Sequence, residues 1–492
     1  MSLVTTSESV IKSTFRAAFD LSRSAVDLHT YMNCVIVMFF LKYVTDTRKV
    51  ELEGQERDET SSTAITRFKL PPNADFWTLY ESRQHPGNGE RLSHALRTIE
   101  DANPELSGVF GNIGLINNRL ANERTGDDVL PILLNHFAAL DLHPSRLANE
   151  HMIGDAYENL IATCATVAGK KFDVSYTPIQ ISEMLVRMLQ PKSNDSIYDP
   201  ACGSGGMLLR CAQYIQDNNA DGTYTVCGRE KNSSTWALAK LNMFFHNEAN
   251  YHLTQGDSLR DPPFLEEKGG PKLFDVVLGN PPYSMSWDAD AAKNDRYGRF
   301  SRGVPPKSRA DYAFLLHMIE SLKPDTGRMA VIMPHGVLFR GAVEEEIRKQ
   351  LVEENLLDAV IGLPPKLFLH TAIPAAILIF RKGKADDSVM FIDASQSFEA
   401  HKIQNTLTHT HVKQIIDVYS ARQSVDGYAH IANLQEIREN NHNLSIPRYI
   451  GVPHEEEQID ILPIRAERIA LQTELAEVED KLNAYLKSIE TM

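Results

Sequence analysis

Residues 196–206 read SIYDPACGSGG, a short β-rich run that is followed directly by a glycine-rich turn. The next run, from Met207 to Ile215, has the apolar spacing of a helix. A strand, a tight turn and a helix form the first half of a βαβ unit, from which parallel α/β sheets are built. We therefore predict an α/β fold with a ligand site at the turn, although a glycine turn alone is also typical of an ordinary strand-to-helix connection.

The same texture of short strands and amphipathic segments extends over the middle of the chain and predicts a parallel sheet. Strands are predicted at 196–198, 225–228, 253–256, 274–278, 329–333, 357–361, 377–381 and 389–392. Upstream, helical periodicity interrupted by Pro, Gly and Asn clusters predicts a helical domain. We assign residues 1–160 to this helical N-terminal domain, 161–395 to a Rossmann-like α/β domain and 396–492 to a C-terminal region.

The C-terminal region ends in a run of apolar residues whose spacing alternates between four and three. They are Leu471, Leu475, Val478, Leu482, Tyr485 and Ile489. This spacing is typical of a coiled-coil seam. It predicts a coiled-coil-like helix that either docks on a partner or folds back on its own domain.

Composition excludes several classes of protein. The net charge of −15 disfavours a protein that clamps nucleic acid over its whole surface, so any DNA contact is local or shared with a partner. Five cysteines without a CxxC pair predict neither a disulfide framework nor a metal site. Apolar runs such as 34–41 are shorter than the ~20 residues that cross a membrane. Since no signal pattern is present either, we expect a cytoplasmic protein without a membrane segment.

Acidic residues follow three consecutive predicted strands, as Asp199, Glu230 and Asp257. The carboxyl ends of parallel strands meet at one edge of a sheet, where ligands bind. There Glu230 is placed to accept both ribose hydroxyls of a nucleoside cofactor, and Asp257 to reach its adenine amine. Singly, each is also typical of a solvated strand end. The turn lacks the GxGxxG and GK[ST] patterns, which disfavours NAD and ATP.

A fourth predicted strand leads into GNPPY at residues 279–283, where two prolines make a stiff loop. An adenine amine is a poor nucleophile because its lone pair is delocalised into the ring. If the Asn280 side-chain carbonyl and the Pro281 carbonyl accept its protons, the nitrogen can pyramidalise toward a methyl donor. Tyr283 would stack on a base turned out of the duplex. The alternative is a proline turn at a strand end, with a core tyrosine.

Together these motifs resemble those of S-adenosylmethionine-dependent adenine-N6 DNA methyltransferases, specifically the modification subunits of type I restriction-modification systems. Residues 176–178 resemble the aromatic-Thr-Pro element of that family, 199–206 its glycine motif and 280–283 its catalytic loop. The catalytic residues implied are Asn280, Pro281, Pro282 and Tyr283. The cofactor-binding residues implied are Tyr176, Thr177, Pro178, Asp199, Ala201, Gly203, Ser204, Gly205, Glu230 and Asp257.

Two further segments, 363–368 and 371–374, also resemble the family and imply that Phe368 helps to hold the flipped base. The family has a second aromatic residue before its aromatic-Thr-Pro element, and this chain has Ser175 there. The likeness extends to residues 40–43 in the helical domain and to 443–449 near the C-terminus. It thus covers nearly the whole chain.

The sequence leaves little room for a separate domain that reads DNA bases. About 25 residues separate Tyr283 from the next predicted helix, too few for an ordinary recognition domain. Arg296, Arg299 and Arg302 lie in this stretch among aromatic residues, which predicts a loop that contacts phosphates or, alternatively, a flexible solvated loop. The resemblance implies that a specificity subunit, flanked by two copies of this chain, reads double-stranded DNA, and that a motor-nuclease subunit is added for restriction.

Two other functions compete with DNA methylation. Protein glutamine N-methyltransferases use the same Asn-Pro-Pro-Tyr loop, but the helical domain, the aromatic-Thr-Pro element and the heptad tail favour the DNA enzyme. A scaffold subunit that binds cofactor and partner without turnover is disfavoured by the intact Asn280 and Tyr283.

Overall fold

The computed structural model describes most of the chain. The described residues are 6–21, 28–52, 68–114, 123–149, 151–168, 177–219, 222–261, 264–265, 270–293, 295–368, 373–402, 404–451, 465, 468–475, 478–479 and 481–482. The chain packs as two compact units, Met1–Ile450 and Gly451–Met492.

Helices and strands alternate through the middle of the first unit. The helices are α1 Glu8–Leu21, α2 Leu28–Leu52, α3 Phe76–Glu81, α4 Asn88–Ala102, α5 Val109–Asn112, α6 Glu123–Ala138, α7 Met152–Ala168, α8 Ile179–Leu189, α9 Gly206–Asn218, α10 Ser233–Phe245, α11 Ala289–Ala292, α12 Asp311–Glu320, α13 Val343–Glu353, α14 His409–Ala421 and α15 Leu434–Glu439. The strands are β1 Ser196–Asp199, β2 Thr225–Glu230, β3 Tyr251–Gln255, β4 Val276–Gly279, β5 Arg328–Pro334, β6 Leu357–Gly362, β7 Ala375–Arg381, β8 Val389–Asp393 and β9 Ala429–Ala432.

Within the described residues the strands form one sheet of nine, in the order β3-β2-β1-β4-β5-β7-β6-β8-β9. All eight predicted strands are confirmed, but the prediction that the sheet is parallel was wrong for β7. This strand lies antiparallel between β5 and β6. Parallel neighbours need a long crossover, usually a helix. The connection from Gly362 to Ala375 has no helix among its described residues, so β7 returns in the opposite direction.

Both faces of the sheet are covered, and side chains alternate between them. On β4, Val276 and Leu278 pack with α8 and α9, while Val277 packs with α12 on the opposite face. Burial on both faces explains why the strands read as continuous apolar runs. The sheet also extends beyond the predicted boundary at residue 395, because β9 pairs antiparallel with β8.

The helical N-terminal region shares its core with the α/β region. Phe39 of α2 stacks on Phe245 of α10, with ring centroids 5.2 Å apart. Leu28–Arg48 of α2 is long and apolar enough to cross a membrane by length and composition, but 89% of its most apolar window is buried inside the protein. The burial identifies α2 as the central helix of this core.

The second unit contains the predicted heptad helix. Residues 468–475 are helical, and Leu471 and Leu475 are each 58% exposed. Val478 and Leu482 are each 55% exposed. Tyr485 and Ile489, the last two positions of the predicted seam, lie outside the described residues.

Candidate active site

Four strand ends bring the predicted site residues to one edge of the sheet. In the order β3-β2-β1-β4 these strands lead to Asp257, Glu230, Asp199 and Asn280. All neighbouring pairs in this series are parallel, so their carboxyl ends lie side by side. At a strand spacing of about 4.8 Å, the series spans roughly 14 Å. An extended ligand can therefore contact all four strands.

A cavity of about 380 Å³ opens along this edge. The predicted residues that line it are Thr177, Ala201, Gly203, Ser204, Glu230, Asp257, Asn280 and Pro282. Residues that line it without having been predicted include Glu158, Ile179, Ser182, Arg210, Asn232, Met285 and Phe314. The predicted residues that do not line it are Pro178, Asp199, Gly205, Pro281 and Tyr283. Tyr176 lies outside the described residues.

Asp199 is fully buried at the end of β1. Its Oδ1 accepts a hydrogen bond from Ala201 N at 2.9 Å, while Oδ2 has no partner among the described residues. Burial, together with the charge of Glu230, raises the pKa of Asp199 to about 8. A buried carboxyl oxygen without a partner is costly, and such atoms commonly mark functional sites.

Glu230 connects β2 to the glycine turn. Its Oε2 accepts from Gly203 N at 3.1 Å and its Oε1 from Asn232 N at 2.7 Å. These bonds fix the carboxylate at the cavity wall. Gly205 closes the turn at φ +82°, and a Cβ there would lie 2.9 Å from Met243 Cε. Only glycine fits this position without strain.

Asp257 follows β3 and carries a negative charge. Its Oδ2 accepts from Lys231 Nζ at 2.9 Å and its Oδ1 from Leu259 N at 3.0 Å. Burial alone would raise the pKa of Asp257, but the hydrogen bond and charge of Lys231 hold it below its ordinary value. The ionised carboxylate is a suitable acceptor for an exocyclic amine.

Asn280 is oriented by the segment that precedes α8. Its Nδ2 donates to Thr177 Oγ at 3.0 Å, which leaves the amide oxygen as the acceptor on the other side of the group. Pro178 is the N-cap of α8 and does not line this cavity. The aromatic-Thr-Pro element is thus tied to the catalytic loop through Thr177.

Two aromatic rings lie beside the loop. Tyr283 and Phe368 meet edge to face, with centroids 6.3 Å apart and planes at 83°. The Tyr283 hydroxyl is buried without a partner among the described residues, and burial followed by the charge of Asp311 raises its pKa. Of the segment predicted at 371–374, Thr371 and Ala372 lie outside the described residues.

The loop between Tyr283 and α12 is packed, which corrects the alternative of a flexible solvated loop. Trp287 is buried, donates from Nε1 to Pro306 O at 3.0 Å and lies 5.2 Å from the Phe300 ring. Arg299 is also buried and forms an ion pair of 2.7 Å with Asp295. The prediction that Arg299 contacts DNA was therefore wrong.

Arg299 instead braces the turn after β3, because its guanidinium donates to Ser258 O at 2.9 Å and to Leu259 O at 3.1 Å. Arg302 is partly buried and pairs with Glu354 and Glu320, so its predicted phosphate contact stays a prediction. Arg296 is exposed, with its guanidinium 4.8 Å from the Tyr297 ring. Of the three predicted arginines, Arg296 is the most exposed.

Comparison with known proteins assigns this arrangement to a family. A family model described as N-6 DNA Methylase matches residues 148–458, which is most of the chain. The chain belongs to the N-6 DNA methylase family. A second model, described as HsdM N-terminal domain, matches residues 11–137 of this methylase, which corresponds to its helical region.

The methylase is similar to curated subunits of type I restriction enzymes. It is 29% identical to the MjaVII methylase subunit of Methanocaldococcus jannaschii over 96% of this chain and 82% of that protein. It is 31% identical to the MpnII methylase subunit of Mycoplasma pneumoniae over 84% of this chain and 80% of that protein. The crystal structure of a type I restriction-modification methyltransferase subunit from Streptococcus thermophilus matches with a TM-score of 0.78 and 33% identity, over 90% of this chain and all of that one.

The unpredicted lining residues of the methylase come mainly from helices. Glu158 lies on α7 and Arg210 on α9, while Phe314 lies on α12. The glycine, acidic and proline motifs follow strands directly and can be found from their spacing. Nothing in the local sequence distinguishes Glu158 or Arg210 from ordinary helix-surface charges, because their pairing appears only when α7 and α9 pack together.

Proposed function

We propose that this chain transfers the methyl group of S-adenosylmethionine to N6 of a flipped adenine in double-stranded DNA. In this proposal it is the modification subunit of a type I restriction-modification complex. The observation that carries the proposal is the placement of Asn280. Its amide group is held by Thr177 at the edge of a cavity that Glu230 and Asp257 also line.

The residues present fit S-adenosylmethionine. Asp199 Oδ2 is a buried carboxyl oxygen without a partner among the described residues, and the glycine turn brings backbone close to the cavity. We assign the ribose hydroxyls to Glu230 and the adenine amine of the cofactor to Asp257. When bound, the cofactor supplies a methyl group on a positively charged sulfur.

The loop residues then act on the target amine. The Asn280 oxygen and the Pro281 carbonyl accept its two protons, which draws the nitrogen lone pair out of conjugation and aims it at the methyl group. Tyr283 and Phe368 contact the faces of the flipped base, since chemistry on a paired base is otherwise inaccessible. Because the Tyr283 hydroxyl is uncharged, the ring offers an apolar stacking surface.

Partner subunits complete the proposed enzyme. The packed stretch between Tyr283 and α12 supplies no separate reading domain, and the net charge of −15 disfavours DNA binding by this chain alone. We therefore propose assembly with a specificity subunit and a second copy of this chain, with a motor-nuclease subunit added for restriction. The exposed seam of the C-terminal helix is the proposed docking site for a partner. We propose that the complex acts in the cytoplasm.

The test is methyl transfer from tritiated S-adenosylmethionine, measured with and without the proposed specificity subunit. We expect label in DNA, at N6 of adenine, when both subunits are present. Label in protein would support a glutamine methyltransferase instead. Cofactor binding without transfer to any acceptor would support a scaffold subunit.

A further inference from the structure

An ion pair lines the helical wall of the cavity. Glu158 of α7 and Arg210 of α9 both line it, together with Glu230 and Asp257. Arg210 Nη2 donates to Glu158 Oε2, and the two side chains are 18% and 5% exposed. These charges are therefore held largely away from bulk water, at the same cavity as the strand-end acids.

The pair keeps unused hydrogen-bonding capacity. Arg210 donates from Nη1 to Gln213 Oε1 at 2.6 Å, but its buried Nε has no partner among the described residues. Gly206, the first residue of α9, brings the helix start close to Glu158, since a Cβ there would lie 3.2 Å from Oε1. Burying charges is costly unless further bonds satisfy them. A ligand with complementary charges would supply those bonds.

The order of the strand ends indicates which part of a ligand meets this wall. Asp257 and Glu230 take the adenosine part in the proposed function, and Asn280 marks the reacting carbon. What remains of S-adenosylmethionine is its amino-acid end, which carries one negative and one positive charge. The helical wall offers one positive and one negative side chain.

We infer that Arg210 and Glu158 bind the amino-acid end of the cofactor, with Arg210 donating to its carboxylate and Glu158 accepting from its ammonium group. This inference rests on the proposed function, because it takes S-adenosylmethionine as the ligand. The N–H groups at the start of α9 add to the attraction for the carboxylate. In the absence of ligand the two side chains form an ion pair with each other.

The experiment measures affinity with three ligands by titration calorimetry on the full-length chain. S-Adenosylhomocysteine has both charges, decarboxylated S-adenosylmethionine lacks the carboxylate, and 5′-methylthioadenosine lacks the whole amino acid. We expect Arg210→Gln to lower the affinity for S-adenosylhomocysteine roughly 10- to 100-fold. The affinity for the other two ligands should fall less than about twofold. Glu158→Gln should lower the affinity for both ligands that carry the ammonium group and leave the affinity for 5′-methylthioadenosine unchanged.

Two further variants guard against a folding artefact. Arg210→Lys keeps the charge without the planar fork, and it should lose less affinity for S-adenosylhomocysteine than Arg210→Gln. Arg187→Gln removes an exposed partner of Glu183 on α8 and should bind all three ligands like the wild type.

The inference is overturned if the two glutamine variants lose as much affinity for 5′-methylthioadenosine as for S-adenosylhomocysteine, because the ion pair would then only support the fold. Unchanged affinity for S-adenosylhomocysteine also overturns it. If the wild type binds none of the adenosine ligands, the proposed function itself fails, and that result is distinct from either outcome.

Discussion

The hydrogen bond between Asn280 and Thr177 decides how the catalytic loop can act. With Nδ2 engaged at 3.0 Å, the amide oxygen is left as the acceptor for a target amine. Sequence reasoning found both residues from their motifs but assigned Thr177 to the cofactor. A contact between residues 103 positions apart has no local signature in the sequence.

Replacing Thr177 with valine keeps the shape of the side chain and removes the acceptor. A net hydrogen bond contributes about 0.5–1.5 kcal/mol, so kcat for methyl transfer should fall roughly 2- to 13-fold. Thr177→Ser keeps the hydroxyl and serves as the matched control. Steady-state methylation of a DNA duplex checks this, and an equal loss in the serine variant would contradict the role of the hydroxyl.

Asp199 predicts an unusual pH dependence for the ligand-free protein. Its pKa is raised by burial to about 8, so the folded state binds the proton more tightly than the unfolded chain does. Stability is therefore lost as the pH rises from about 4 toward 8. Asp199→Asn keeps the neutral form, so it should raise the melting temperature at pH 8 more than at pH 5, while it weakens cofactor binding. A larger gain at pH 5 would contradict the raised pKa.

At the scale of elements, strand positions were predictable and strand directions were not. A strand buried on both faces gives the same apolar run whichever way it points, so β7 could be located but not oriented. The acidic residues were predictable because each follows its strand directly. The burial of Arg299 in the loop between Tyr283 and α12 was not predictable. It depends on carbonyl groups that lie far from the loop in the sequence, so the local sequence does not indicate it.

Two arginines in that loop form a matched pair for a test. Arg299 is buried with Asp295, while Arg296 is exposed. Arg299→Met leaves the Asp295 charge unpaired inside the protein, so the free energy of unfolding should fall by about 3–5 kcal/mol. Arg296→Met should change it by less than about 0.5 kcal/mol. Urea unfolding measures both values.

The two variants should also differ in their effect on DNA affinity. Arg296→Met should weaken binding by the assembled complex and reduce the salt dependence of its affinity. Arg299→Met should leave the salt dependence unchanged wherever the protein remains folded. A reversed pattern would restore Arg299 as a phosphate contact.

At the scale of the whole molecule, the helical region and the sheet share a core through α2 and α10. A change in the sequence pattern therefore does not mark a boundary between separate hydrophobic cores. The acidic surface and the exposed apolar seam of the C-terminal helix both favour a subunit that works within an assembly.

The seam can be tested in the intact chain. Leu475 and Leu482 are 58% and 55% exposed, so changing both to glutamate should leave thermal stability unchanged. The double variant should lose co-purification with the specificity subunit, because charges at core seam positions prevent helix pairing. Thr473→Glu lies on the same helix outside the seam and should retain the partner. Retention by the double variant would exclude the seam as the docking site.

The most direct test of the central claim is the Asn280→Ala variant in complex with the specificity subunit. Two quantities are measured on one preparation: tritium transfer from S-adenosylmethionine to N6 of adenine in DNA, and the affinity for S-adenosylhomocysteine. Transfer should fall at least about a hundredfold, while the affinity changes less than about threefold. Transfer by the variant at the wild-type rate would contradict a role of Asn280 in catalysis. Tritium that the wild-type complex places in protein rather than in DNA would contradict the assignment of this chain as an adenine methyltransferase.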